Sequence, residues 1–183
     1  MGCKLTWQNI WQDIFGAGLS TNWESEIAWR IAHGVVKTRA YLKSWRQFAV
    51  IDQCAGCGER ETISHAFCSC RLVSPVWSWM SNLINQFYDQ PLLLSESIIL
   101  LRQGLPQGSS WAHSNAITSF LINLTLNELW AAQNLDTLES KRPSAQTIIS
   151  KIKTRIRQRI TAAFHIAPRA IFTTFWADRK SVV

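Results

Sequence analysis

Four of the five cysteines in this 183-residue chain fall in one stretch, CAGCGERETISHAFCSC, from Cys54 to Cys70, together with one of its four histidines. The spacing is Cys54-x2-Cys57-x7-His65-x4-Cys70. A Cys-x2-Cys turn lets two thiolates aim at one ion, and Gly56 and Gly58 permit the tight backbone such a knuckle needs. His65 and Cys70, five residues apart, can return to the same point from a helix or turn. Three thiolates and one imidazole form a closed tetrahedral set of the structural zinc type, and soft sulfur favours Zn2+ over Mg2+ or Ca2+. Cys68 is an alternative fourth ligand, leaving His65-x2-Cys68.

Other uses of these residues fit less well. A catalytic zinc keeps an open position and a nearby acid or base. Glu59 and Glu61 are close, yet the His-x-Glu then Pro-Cys-x2-Cys order of zinc deaminases is absent, and ISHAF has no Glu beside its His in the zinc-protease manner. A disulfide framework is disfavoured by the odd cysteine count and by a histidine inside the cluster. A redox Cys-x2-Cys lacks its βαβ setting. His33, His113 and His165 have no sequence partner that suggests catalysis and are expected to be structural. The expectation is one structural zinc and no enzymatic activity in the chain by itself.

Composition sets the frame for the cluster. Hydrophobic residues make up 47% and charged residues 17%, a globular composition sufficient for one domain with an appended piece. Ten tryptophans, scattered from Trp7 to Trp176, point to a core built on large aromatics. No run of about 18 apolar residues suggests a membrane span. No secretory signal opens the chain, so an intracellular, reducing compartment is expected, nucleus or cytoplasm. Gly2 and Thr6 meet a short acylation pattern, with Cys3 as a second acyl site, which keeps a lipid-anchored adaptor as an alternative.

The net charge of +7 is unevenly spread. Residues 1–140 hold nine Lys/Arg and eleven Asp/Glu, whereas residues 141–183 hold ten and one. A basic segment of this kind suits a polyanion. Within it Lys151, Lys153, Arg155, Arg157 and Arg159 alternate in a strand-like way, while Ile148, Ile152, Ile156 and Ile160 step by four. Length and the Pro143–Ser144 start favour a helix docked through its isoleucines. Acids are nearly absent from the segment, so pairing within the helix does not account for its charges. The basic side chains are therefore expected to meet phosphates, with Arg60 and Arg71 beside the cysteine cluster as further contacts.

The remaining periodicity is also helical. LTWQNIWQDIF forms a short amphipathic pattern. NWESEIAWRIAHGVV predicts a helix capped by Asn22, with Trp23, Ile27, Ile31 and then Val35 or Val36 on one face. TRAYLKSWRQF continues helically, with Leu42, Trp45 and Phe48 apolar. After the cysteines, Ser74 caps a helix with Pro75 in its first turn. LLLSESIILLRQGLPQGSSWAH mixes an apolar stretch with a turn-rich loop, and SNAITSFLINLTLNELWAAQN predicts a longer helix that buries Ile117, Phe120, Leu121, Leu124, Leu129 and Trp130. The fold class expected is mainly α: a helical domain with a small CCHC zinc-knuckle insert and a C-terminal basic helix. The divisions are 1–22, 23–90 around the zinc unit, 91–140, and 141–183.

The order of motifs resembles the zinc-binding region that follows the polymerase domain in LINE-type (non-LTR) retrotransposon reverse transcriptases. A WR..HG core, Trp29, Arg30, His33 and Gly34, leads to Thr38, Arg39 and Leu42. The unit CxxCG…ET..H.F..C follows as Cys54, Cys57, Gly58, Glu61, Thr62, His65, Phe67 and Cys70, and then the VW step at Val76 and Trp77. The resemblance covers about residues 23–80 and supports Cys70 over Cys68. Downstream, ELWAAQN is similar to a W..RN segment of these proteins, with Gln133 in place of arginine. The resemblance implies a non-catalytic helper that grips RNA or DNA during target-primed reverse transcription and sits beside a reverse-transcriptase core. No paired aspartates of a polymerase and no endonuclease set appear. An interaction module without nucleic-acid contact is the main alternative.

Overall fold

The computed structural model describes residues 19–45, 51–139 and 141–166, side chains of 163–166 excepted, together with Gln8, Trp11 and Ile14. The acylation pattern at Gly2 and Cys3, the apolar Phe48 and the side chain of His165 lie outside the described residues. Gln8, Trp11 and Ile14 are helical, and from residue 19 on the α-helices among the described residues are α1 (Asn22–Ala32), α2 (Arg39–Ser44), α3 (Ser74–Ile84), α4 (Glu96–Leu101), α5 (Ala112–Glu139) and α6 (Ala145–Ile166). Among the described residues there is no strand, only an isolated antiparallel bridge between Gln53 and Arg60. The fold is mainly helical, with the Cys-Cys-His-Cys cluster as an insert between α2 and α3.

α5 is the axis. From Ile117 to Leu129 every residue is buried, because α1, α3 and α6 all pack against it. The polar residues enclosed there find partners, as burial requires. Asn123 donates to Ile14 O at 2.8 Å and to Ser20 Oγ at 3.1 Å, and accepts from the Arg102 guanidinium. Tyr88 donates to Asn115 Oδ1 at 2.9 Å, with Thr118 Oγ1 at 3.0 Å.

α6 settles the ambiguity of the basic segment in favour of a helix. Ile148, Ile152 and Ile156 are buried, Ile160 is partly so, and the stripe lies against α3 and α5. Ser144 Oγ caps the helix by accepting from Thr147 N–H at 3.1 Å.

Four local expectations need correction. Ser74 does not cap α3: it is the first residue of the helix, Val73 stands at the cap position, and no side chain bonds there. Thr21, not Asn22, caps α1: its extended backbone lets Oγ1 accept from Glu24 N–H while the Glu24 carboxylate accepts from Thr21 N–H, a capping box. The buried stripe is then Glu24, Ile27, Ala28 and Ile31, and Trp23, one residue off it, is 67% exposed. α2 stops at Ser44, and Trp45 is exposed with an extended backbone. Finally, the apolar stretch after Pro91 contains a helix, α4, capped by Ser95 and ended by Arg102 in a left-handed conformation whose guanidinium bonds back to Ile98 O and Ile99 O.

Candidate metal centre

The knuckle is folded by its own backbone. Cys54 N–H donates to Glu59 O at 2.7 Å and Gly58 N–H to Cys54 O at 2.8 Å. Gly58 has φ +81°, a left-handed turn that favours glycine, and closes the loop so that Cys54 and Cys57 face inward. Gly56 serves a different need. A Cβ there would collide with the Leu72 side chain and lie 2.9 Å from Arg142 Nη1, so only glycine lets both approach.

His65 and Cys70 come from a single π-turn, His65–Ser69. Cys70 N–H donates to His65 O at 3.0 Å, and Thr62 Oγ1 accepts from His65 N–H at 3.1 Å. The wide i to i+5 ring puts the two side chains on one side and turns Cys68 away. Cys68 instead lines an open groove with Trp77, Leu94 and Ile99. Burial, with the Glu96 charge behind it, pushes its thiol up to about 12.

One donor atom from each of Cys54, Cys57, His65 and Cys70 lies within 4.8 Å of every other. Cys57 Sγ is 3.2 Å from His65 Nε2 and 3.9 Å from Cys70 Sγ. Thiolates bound at about 2.3 Å around a tetrahedral zinc stand about 3.8 Å apart, so the 3.9 Å Cys57–Cys70 pair has that spacing and the whole set lies within reach of one ion. Cys54, His65 and Cys70 are buried and Cys57 half-buried. The cluster can therefore hold a metal ion.

Its electrostatics are asymmetric. Burial opposes ionisation of Cys54, but hydrogen bonds from His65, the Gly56 backbone, Arg142 and Cys57 bring its thiol down to about 6. Burial and the neighbouring Cys54 and Cys57 push Cys70 up to about 11. A divalent cation reverses that repulsion and displaces the remaining protons.

Two residues outside the donor set hold it. Glu59 Oε2 stands 3.2 Å from His65 Nδ1, the carboxylate–histidine arrangement that fixes a ligand's tautomer and leaves Nε2 for the ion. Arg142 Nη1 donates to Cys54 Sγ at 3.3 Å and meets Asp136 Oδ2 at 3.4 Å. Glu59 is visible in the sequence as an acid near the ligands. Arg142 carries no such signal, because it sits in the link before α6.

The motif residues around the donors anchor the knuckle to the helices. The buried Glu61 carboxylate accepts from Arg39 N–H at 3.0 Å and pairs with its guanidinium at 3.6 Å, at the start of α2. Phe67 is fully buried and meets Trp130 of α5 at 6.3 Å between ring centres. Trp77 Nε1–H donates to Phe67 O at 2.6 Å. His33, in the preceding helix-end motif, is stacked between Trp11 and Trp29, with ring centres 5.0 and 4.3 Å away.

The basic residues of α6 divide into two groups. Lys151, Lys153 and Arg157 are exposed, with Lys153 Nζ 5.6 Å above the Trp79 ring. Arg155 and Arg159 turn inward: Arg155 bonds Glu128 at 2.6 Å and Asn127 at 3.0 Å, and Arg159 bonds Glu24 at 2.6 Å. The acids that account for these two charges come from α1 and α5, more than 25 residues away, so a search within the basic segment does not find them. Arg60 is 3.4 Å from Asp52 with its side chain 70% exposed, and Arg71 donates to Gly56 O at 3.2 Å. The structure thus brings the four predicted ligands together, and of the predicted phosphate contacts it leaves Lys151, Lys153, Arg157, Arg60 and Arg71 exposed and ties Arg155 and Arg159 to acids.

No helix among the described residues is long and apolar enough to cross a membrane. No protein-family model and no solved structure matches the chain. It is similar to the Transposon TX1 uncharacterized 149 kDa protein of Xenopus laevis, 21% identical over 184 residues. The alignment covers 93% of this chain but only 14% of that protein. Similarity and cluster together fit a transposon-related region able to hold a metal ion.

Proposed function

We propose that this chain is a zinc-binding, nucleic-acid-binding region of the kind that follows the polymerase domain in LINE-type retrotransposon reverse transcriptases. The observation that carries the reading is the closed donor set of Cys54, Cys57, His65 and Cys70. Four protein ligands would fill a tetrahedron and leave no position for substrate, so a bound ion would be structural, which supports a region without catalysis of its own. When bound, Zn2+ would tie the knuckle between α2 and α3 and contribute directly to folding. The transposon relative supports the setting, and the exposed Lys151, Lys153 and Arg157 supply cations for phosphates of RNA or DNA. Arg60 and Arg71 lie beside the knuckle as secondary contacts. In a longer protein the region would work next to a reverse-transcriptase core, inside the cell.

Affinity for RNA and single-stranded DNA, measured across salt concentrations on metal-analysed protein, tests this. About one zinc per chain and binding that falls steeply with salt are expected. Absence of binding at low salt overturns it. A protein-docking module is the second reading, favoured by the exposed Trp45 and Ile51, at 53% and 69%. A partner that co-purifies after nuclease treatment, without nucleic-acid affinity, would select it.

A further inference from the structure

A cleft of about 260 Å³ lies between α1 and α5. Trp23, Ile27 and Arg30 line it from α1, and Asn127, Trp130 and Asn134 from α5. Each trio steps by three or four residues and so occupies one helix face. The two helices run in the same sense: Asn123 donates to Ser20 Oγ, and one turn on Asn127 donates to Trp23 O at 3.4 Å. Arg155 of α6 stands at the Asn127 end.

Three properties narrow the occupant. The walls include two indoles, and Trp23 is 67% exposed, a large apolar face left in water. The charges in the cleft cancel in pairs, Arg30 with Glu26 at 2.5 Å and Arg155 with Glu128 at 2.6 Å, which suits a neutral guest and not a phosphate. The Asn134 carboxamide makes no hydrogen bond to other described residues, leaving a donor and an acceptor for the edge of a planar heterocycle. Outside the cleft, Lys151 is exposed one turn before Arg155 on the same α6 face, placed for an anion next to that heterocycle.

We propose that the α1/α5 cleft takes one unpaired nucleobase of a single-stranded nucleic acid, stacked on Trp23, with Asn134 on its edge and Lys151 on a flanking phosphate. The inference rests on the nucleic-acid reading above and adds to it a strand state and a site. A base inside a duplex has both faces stacked and its Watson–Crick edge paired, so the cleft selects single strands.

The test uses the full chain, oligo(U) and oligo(A) single strands, and a duplex of matched length, at low salt. Trp23→Ala, a change at an exposed position, is expected to weaken single-strand binding about 5- to 100-fold and to leave duplex binding unchanged. Asn134→Ala is expected to alter the ratio of oligo(A) to oligo(U) affinity. An oligonucleotide carrying 5-iodouracil should cross-link to Trp23 or Trp130. Wild-type binding with unchanged single-strand affinity in Trp23→Ala overturns the cleft alone, as does equal loss on duplex and single strand. No wild-type binding to either form overturns the nucleic-acid reading and the cleft together.

Discussion

Arg142 Nη1 donates a hydrogen bond to Cys54 Sγ at 3.3 Å across 88 residues of sequence. The same guanidinium pairs with Asp136 near the end of α5, and three residues later α6 begins. Burial disfavours the Arg142 charge, but the neighbouring Cys54, Cys70 and Asp136 more than offset it and raise its pKa. A ligand set of three thiolates and one imidazole around Zn2+ carries a net negative charge, and Arg142 is the cation that faces it. The start of the basic helix is thereby fastened to the metal centre.

Arg142→Ala should lower metal affinity about 10- to 100-fold, the usual cost of losing an outer partner of a metal ligand. Competition with a chromogenic chelator measures it. Gly56→Ala should act in the same direction, because its Cβ would collide with Leu72 and displace Arg142. Affinity equal to wild type in Arg142→Ala would show the contact to be incidental.

Cys57→Ser and Cys70→Ser should each abolish stoichiometric metal, and chelation of the wild type should loosen the knuckle in the same way. Cys68→Ser should keep its metal, since that thiol points into the groove beside Leu94 and Ile99. Metal analysis with circular dichroism distinguishes the variants. Loss of metal in Cys68→Ser would reverse the ligand assignment.

Glu24 is 2% exposed and receives Thr21, Arg155 and Arg159. Replacing it by alanine takes the carboxylate partner from the partly buried Arg159 guanidinium, removes one of the two acids at Arg155, which keeps Glu128, and deletes the α1 capping box. The expected loss is about 3 kcal/mol in urea unfolding. A double-mutant cycle with Arg159→Ala should return a coupling above about 1 kcal/mol. A smaller coupling would mean that solvent screens the pair.

The two groups of basic residues on α6 should separate experimentally. Lys151→Ala and Arg157→Ala should leave stability unchanged and each reduce the salt-dependence slope of nucleic-acid binding by about 0.7 to 0.9. Arg155→Ala should destabilise the fold, because it leaves Glu128, which is 8% exposed, without its cation. Stability losses of similar size in both groups would contradict the division.

Much of the helical content and the donor set follow from short-range order in the sequence. Ile148, Ile152 and Ile156 step by four because one helix face must be buried, and that spacing outweighs the alternating charges beside them. Cys54, Cys57 and His65 are close in the chain, so local turns are enough to bring them together. Cys70 rather than Cys68 is also local, decided by the hydrogen-bond ring of one π-turn, but spacing alone leaves both open. Only the tertiary structure decides what depends on which helices meet. It turns Trp23 outward and Glu24 inward, directs Arg155 and Arg159 to acids on α1 and α5, and sets Arg142 beside Cys54. Charge pairs act over a few ångströms of space with no regard for chain order, so the sequence by itself lists these residues without saying which of them touch.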